Sequence, residues 1–267
     1  MRIITLMTDF GIKDGNVGVM KGVIWGLCPE VQIADLSHMV GPQNVAEASL
    51  ILARSAPYFP EDTIHVVVVD PGVGTARRPI AARLDDAFYV GPDNGTITAW
   101  LERTERGNLD CRFVQLERTQ YWLPNVSHVF HGRDIFAPVA AHLAAGLPFS
   151  ELGSAFHDPV RLNLPKARRT RQAWQGEIIY IDHFGNLASN IRAEELGEAL
   201  NQKEKIVVRL NERRIPGMVD TFGERPAGEI VALLGSTGNL IVSVVNGSAA
   251  ADLNVRVGDP IEAATPE

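Results

Sequence analysis

Short β-rich runs alternate with longer amphipathic ones over roughly the first 160 residues. Residues 2–8 (RIITLMT) are β-rich and run directly into Asp9-Phe10-Gly11. Residues 16–27 (NVGVMKGVIWGL) follow with helical spacing despite their glycines. VQIADLS (31–37) reads as a second strand and QNVAEASLILARSA (43–56) as an apolar-faced helix. IHVVVV (64–69) is an unbroken, mostly β-branched run, the pattern of a parallel strand covered on both faces. Strands are expected again at 79–84, 87–90 and 112–116, and DIFAPVAAHLAA (134–145) reads as a helix with Pro138 near its start. Strands alternating with helices predict a layered α/β domain with a mostly parallel sheet.

The pattern changes after about residue 157. RLNLPKARRTR (161–171) is basic and has little periodicity, as a solvated linker does. From Trp174 onward the runs are short and strand-like: GEIIYID, KIVVRL, EIVALLG, NLIVSVVN and VRVGDPIEA, with turn residues between them. That spacing predicts a small β-barrel or sandwich. The expected organisation is an α/β domain over 1–160, a linker over 161–172 and a β domain over 173–267.

Composition narrows the functional classes. The 267 residues are 45% hydrophobic and 21% charged, an ordinary globular balance. A net charge of -7 argues against a nucleic-acid partner. The longest strand-like apolar run is far below membrane-spanning length, and the start reaches an acid at Asp9 too early for a signal peptide. Cys28 and Cys111 are too few for a disulfide scaffold and suit a reducing cytoplasm.

Three acidic turns stand at the ends of expected strands. They are Thr8-Asp9-Phe10-Gly11 with Asp14 and Asn16 close behind, Asp70-Pro71-Gly72-Val73-Gly74-Thr75-Ala76-Arg77-Arg78, and Asp182-His183-Phe184-Gly185-Asn186. Ligands of open α/β sheets bind beyond the carboxyl ends of parallel strands, where Asp9 and Asp70 would lie. A rim carboxylate there can accept two hydrogen bonds from vicinal ribose hydroxyls; the plainer reading is that Asp and Gly make turns. Gly72-Val73-Gly74 lacks the third glycine of a dinucleotide fingerprint and the Gly-Lys-Ser/Thr of a P-loop. Its glycines instead let the backbone approach a ligand or make a tight turn. In Ser127-His128-Val129-Phe130-His131-Gly132-Arg133-Asp134, His131 is a candidate acid or base and Asp134 a candidate helix N-cap. His142 and His157 read as structural. No Cys/His cluster suits zinc, whereas the acidic turns leave carboxylate-bound Mg2+ open.

Taken in order, TDFGIKDGNVGVMKG, DPGVGTARRP, FHGRDIFAP, DHFGN, DTFGE and VNGSAA resemble the S-adenosyl-L-methionine hydroxide adenosyltransferase family, within the superfamily that also holds the fluorinating and chlorinating enzymes. The resemblance spans nearly the whole chain. It implies an N-terminal α/β domain, a C-terminal β-barrel, and a homotrimer whose sites lie between one subunit's N-domain and its neighbour's C-domain. It implies S-adenosyl-L-methionine as substrate and neither metal nor cofactor. On this resemblance Asp9 grips both ribose hydroxyls, with Asp14 and Asn16 as polar neighbours, and Gln43 stands where the halogenating enzymes carry tryptophan. Asp182 is matched to the methionine ammonium and Ser236 to its carboxylate; Thr237 follows, where the halogenating enzymes have arginine. Phe184 and Phe222 are matched to the aromatics around adenine, and Asn186, with backbone near Asn246 and Gly247, to its edge. Asp70, Arg77 and His131 are matched to the Asp-Arg-His set around the hydrolases' water, with Arg78 the alternative arginine. The halogenating enzymes have tyrosine at the position of Asp70 and tyrosine-serine at His131-Gly132.

The resulting expectation is a water attack on ribose C5′ that releases adenosine and methionine. Asp70 is expected to stay ionised beside Arg77 and to orient the water, with His131 able to take or share its proton. Halide-driven cleavage, a non-catalytic binding module and a Mg2+-dependent phosphohydrolase using Asp9 and Asp70 are the competing readings.

Overall fold

A computed structural model of the chain describes residues 2–264. The chain divides into two compact units, one ending at Asn163 and the other beginning at Leu164. No helix among the described residues is long and apolar enough to cross a membrane.

The first unit opens with β1 (Ile3–Thr8), α1 (Asn16–Leu27), β2 (Gln32–Ser37), α2 (Val45–Ser55) and β3 (Ile64–Val68). It continues with β4 (Pro79–Leu84), β5 (Ala87–Pro92), α3 (Thr98–Arg106) and β6 (Cys111–Gln115). A π-helical turn over Gly132–Phe136 leads into α4 (Ala137–Ala144), and the short β7 (Ala155–Phe156) follows. The sheet runs β2-β1-β3-β5-β4-β6-β7. Its β2-β1-β3-β5 half is parallel, and β4, β6 and β7 join antiparallel. The two-residue Asp85-Asp86 connection between β4 and β5 forces that hairpin, because parallel neighbours need a longer crossover.

β3 shows why this half is three-layered. Every residue of it is buried. Ile64, Val66 and Val68 pack with Val17, Met20 and Ile24 of α1 and Val139 and Leu143 of α4. Val67 and Val69 face the other way, with Ala48 and Leu52 of α2 and Leu101 of α3. The period-two alternation of a strand thus feeds two cores from one apolar run. The pattern reading leaves out α3, whose sequence TAWLERTER is mostly polar; only Thr98, Trp100, Leu101 and Thr104 turn inward.

The second unit contains β8 (Arg168–Arg169), β9 (Ala173–Ile181), β10 (Leu187–Arg192), α5 (Ala193–Leu196), β11 (Val207–Leu210), β12 (Arg213–Pro216), β13 (Ile230–Leu234), β14 (Asn239–Val244), α6 (Ala249–Asp252) and β15 (Pro260–Ala264). The antiparallel order β12-β11-β15-β9-β10-β14-β13 curls into a nearly closed barrel, with β8 paired to β9. Ile178, Leu187, Val208, Leu240, Val242 and Ile261 fill it. The α/β class with a separate β-barrel, as the sequence predicts, is the fold.

One buried residue gives the first unit a pH signature. His65 of β3 is fully buried, its Nδ1 2.8 Å from Thr5 Oγ1 and its ring edge-on to Phe59 and Trp100. Burial drops its pKa from 6.5 to about 4. Between those values the unfolded chain binds a proton that the folded chain refuses. The stability that neutral His65 contributes is therefore complete above pH 6.5 and falls by about 3 kcal/mol as the pH drops to 4. Urea titrations at pH 7 and pH 4 should show that loss in the wild type and a smaller one in His65→Gln. Equal losses in both proteins would contradict it.

Candidate active site

β1 and β3 are parallel neighbours with Thr8 paired to Val68, so the chain leaves both strands on the same edge of the sheet. Asp9 follows β1 immediately and Asp70 follows β3 by two residues.

Asp70 is the centre of a buried polar assembly. The segment after it makes two successive turns, Val73 N–H donating to the Asp70 carbonyl and Thr75 N–H to that of Gly72. These fold Arg77 back onto Asp70. Arg77 Nε donates to Asp70 Oδ1 at 3.1 Å and Nη2 to Oδ2. The two side chains are 7% and 4% exposed, so the pair is almost fully withdrawn from water. Arg77 Nη2 also lies 3.2 Å from His131 Nδ1, and the guanidinium stacks over Phe136 at 5.4 Å. Asp70, Arg77 and His131 therefore form one connected group. Arg77 Nη1 is buried with no hydrogen-bond partner among the described residues.

Gly74 explains why this loop is rich in glycine. Its φ is +75°, and a Cβ there would sit 2.2 Å from the His128 carbonyl oxygen. The Asp70–Arg77 loop thus packs backbone to backbone on the segment that carries His131. The neighbouring Arg78 turns away: it binds Asp93 and Asp158 and stacks over Phe156. Arg77 is the arginine at Asp70, and Arg78 is not available to it.

Asp134 is not a helix N-cap. It lies inside the π-helical turn, fully buried, and its carboxylate accepts from Ser127 N at 2.8 Å and from Arg133. It closes the Ser127–His131 loop rather than starting a helix, a difference that cap preferences along a sequence do not reveal. Phe130 of that loop meets Phe10 edge-on at 5.7 Å, tying it to the Asp9 loop. No local sequence signal announces that contact.

The electrostatics divide the group. Burial lifts the Asp70 carboxyl above its ordinary 3.8, outweighing the opposing pull of Arg77. Burial and the Arg77 charge push His131 below 6.5. Because a guanidinium only donates, His131 Nδ1 accepts from it, and the neutral ring carries its proton on Nε2.

Asp9 Oδ2 accepts the Gln43 N–H at 2.8 Å. Gln43 holds φ at +62°, a strained left-handed backbone just before Asn44 caps α2 through Glu47 N. Asp14 is exposed in the same loop as Asp9, and Asn16 is exposed at the first position of α1. Asp9 and Asp70 share no metal-like cluster: among the described residues no three His, Cys, Asp or Glu side chains converge as a cation would require. His142 is half-buried against Tyr121, a packing role.

In the second unit Asp182 is occupied within its own turn. Its carboxylate accepts from Phe184 N and Asn186 N at 2.9 Å and from Asn186 Nδ2 at 2.7 Å. Asn186 therefore presents Oδ1, an acceptor, to its surroundings. Gly185 adopts φ +82° and presses on Ser248, and Ala250 N donates to the Gly185 carbonyl. This brings the Asp182–Asn186 turn to the end of β14, where Asn246 and Gly247 lie. Phe184 is 73% exposed and Phe222 40%. Ser236 is exposed in the β13–β14 turn, at the opposite end of β14, and does not join this group.

Two family models, the N-terminal and C-terminal domains of SAM hydroxide adenosyltransferase, match residues 4–153 and 176–262. A Salinispora tropica protein named (R)-S-adenosyl-L-methionine hydrolase is 39% identical over 96% of this chain and 95% of its own. A fluorinase from an Actinoplanes species is 31% identical over 74% of each chain. The crystal structure of an uncharacterized conserved protein from Thermotoga maritima superposes with a TM-score of 0.91 at 35% identity, covering 98% of this chain and 99% of that one. With both domain models matched in order along one chain, the protein belongs to the SAM hydroxide adenosyltransferase family.

Proposed function

We propose that this chain hydrolyses S-adenosyl-L-methionine to adenosine and L-methionine. Water oxygen bonds to ribose C5′ as the C5′–S bond breaks, and sulfur keeps the bonding pair as the neutral thioether of methionine. The water proton goes to Asp70. The observation that carries the reading is the buried Asp70–Arg77 pair with His131 joined to it.

Each member has a role suited to its surroundings. Asp70 is raised by burial, so it is a stronger base than a solvated carboxylate, while Arg77 holds both its oxygens in place. His131 has its Nδ1 engaged with Arg77 and its pKa lowered, which makes it a donor that orients water rather than the proton acceptor. This moves the base role from His131, as the sequence allowed, to Asp70. A thioether leaving group needs no general acid. Orientation and removal of bulk water are the main requirements, and alignment alone can be worth roughly 7–11 kcal/mol. The carboxylate that accepts a bond from water repels a halide ion, which disfavours halide-driven cleavage.

Asp9 is proposed to hold the ribose hydroxyls, supported by its fixed carboxylate at the strand edge. Asn186 Oδ1 is proposed to accept from the adenine amine, and Phe184 and Phe222 to cover its ring. Ser236, apart at the other end of β14, suits the distal methionine carboxylate. The name of the Salinispora relative specifies the (R) sulfonium epimer, and we extend the proposal to that epimer. We also propose a cytoplasmic homotrimer with each site drawing on two copies. Exposed Val19, Trp25 and Leu27 on α1 support association. Free thiols at Cys28 and Cys111 support a reducing compartment.

Incubation with each sulfonium epimer, with and without chelator and excess chloride, should yield adenosine and methionine from the (R) epimer, unaffected by either additive. A halo-adenosine product, or unchanged substrate, would overturn the proposal. Asp70→Asn should lower kcat by on the order of 10²–10⁴-fold with little change in KM, the span typical of a lost general base. Wild-type turnover in that variant would remove Asp70 from the mechanism. Protonation of either Asp70 or His131 disables the group, so kcat/KM should climb through the acid range to a plateau across neutrality; a maximum in acid would contradict this. Light scattering should report three times the 29.1 kDa chain mass, and a monomer would contradict the trimer.

A further inference from the structure

The loop that carries Asp9 hangs from a buried histidine that the proposed chemistry does not use. His38 follows β2 by one residue and is 8% exposed. Its carbonyl accepts from Gly11 N at 2.8 Å. Its Nδ1 lies 3.0 Å from the fully buried Thr8 Oγ1, and that same oxygen accepts from Phe10 N at 3.2 Å. Nε2 lies 3.1 Å from Asp35 Oδ1, poorly aligned for a hydrogen bond, and Asp35 is held 2.7 Å from Lys21 Nζ. The nearby carboxylate keeps the ring proton on Nε2. Nδ1 then accepts from the Thr8 hydroxyl, whose oxygen lone pair receives the Phe10 N–H.

One residue thereby fixes Thr8, Phe10 and Gly11, the neighbours of Asp9 on both sides. Five residues further along the same β2–α2 segment, Gln43 N–H fixes the Asp9 carboxylate itself. A carboxylate that must accept two vicinal hydroxyls at once tolerates little rotation, because both oxygens have to be aimed together.

We propose that His38 is a positioning residue for ribose recognition, aiming the Asp9 carboxylate through Thr8. The inference rests on the reading of Asp9 as the group that grips the ribose. It assigns ribose discrimination to a residue that does not touch the substrate.

Calorimetric titration of the full-length protein with adenosine and with 2′,3′-dideoxyadenosine separates these roles. The dideoxynucleoside lacks both hydroxyls and is blind to the aim of Asp9. His38→Gln moves its amide away from Thr8 toward Asp35, and Thr8→Val removes the hydroxyl. Each should weaken adenosine binding about tenfold, the scale of a lost buried hydrogen bond, and leave the dideoxynucleoside unchanged. His38→Asn keeps an acceptor where Nδ1 stands and should remain within about threefold of wild type. The His38→Gln/Thr8→Val double variant should be no weaker than the worse single one, since both cut the same link. Equal loss for both nucleosides, or wild-type adenosine binding in His38→Gln, would overturn the inference alone. A wild-type protein that binds both nucleosides equally would overturn the ribose role of Asp9 and the inference with it.

Discussion

A carboxylate and a guanidinium buried together beyond β3 constrain everything around them. Neither Asp70 nor Arg77 can be withdrawn from water without the other, because removing one partner leaves an uncompensated buried charge. Arg77 follows Asp70 by only seven positions, so the chain must double back sharply. That requirement accounts for the two turns, the left-handed Gly74 and the backbone approach to His128. The same folding-back brings His131 to Arg77. Arg77 Nη1 is left buried with no hydrogen-bond partner among the described residues.

On the proposed function, the first unit supplies the groups that deliver water and hold the sugar, and the second those that read the base. In the first, the Asp70, His131 and Asp9 loops are tied together by the Gly74–His128 approach and the Phe10–Phe130 contact. In the second, the Asp182 carboxylate organises its own turn, which fixes which atom Asn186 presents. The chemistry in each case follows from loops held by strands rather than from the strands themselves, as in other α/β proteins.

Much of this was legible in the sequence where a pattern is local. The IHVVVV run announces a strand covered on both faces because both faces are in fact filled, by α1 and α4 on one side and α2 and α3 on the other. The glycines at 72 and 74 announce a tight turn, which the loop makes, and Gly74 alone also meets the His128 backbone. The DPGVGTARRP and FHGRD motifs name the residues that the fold then brings together. What was not legible depends on distant partners. α3 hides because a helix that turns only four residues inward carries mostly polar side chains. Asp134 looks like a cap until its bond to Ser127 is seen, and the balance between burial and Arg77 at Asp70 is invisible without the surrounding core. His38 carries no motif at all; its bonds to Thr8 and Gly11 form only in the folded chain.

The most direct test of the central claim is where the oxygen goes. A reaction run in ¹⁸O-labelled water, with products resolved by mass spectrometry, distinguishes attack at ribose C5′ from cleavage elsewhere at the sulfonium. The account predicts one ¹⁸O in the 5′-hydroxyl of adenosine and unlabelled methionine. Label in an amino-acid product released alongside methylthioadenosine, or adenosine formed without label, would contradict it.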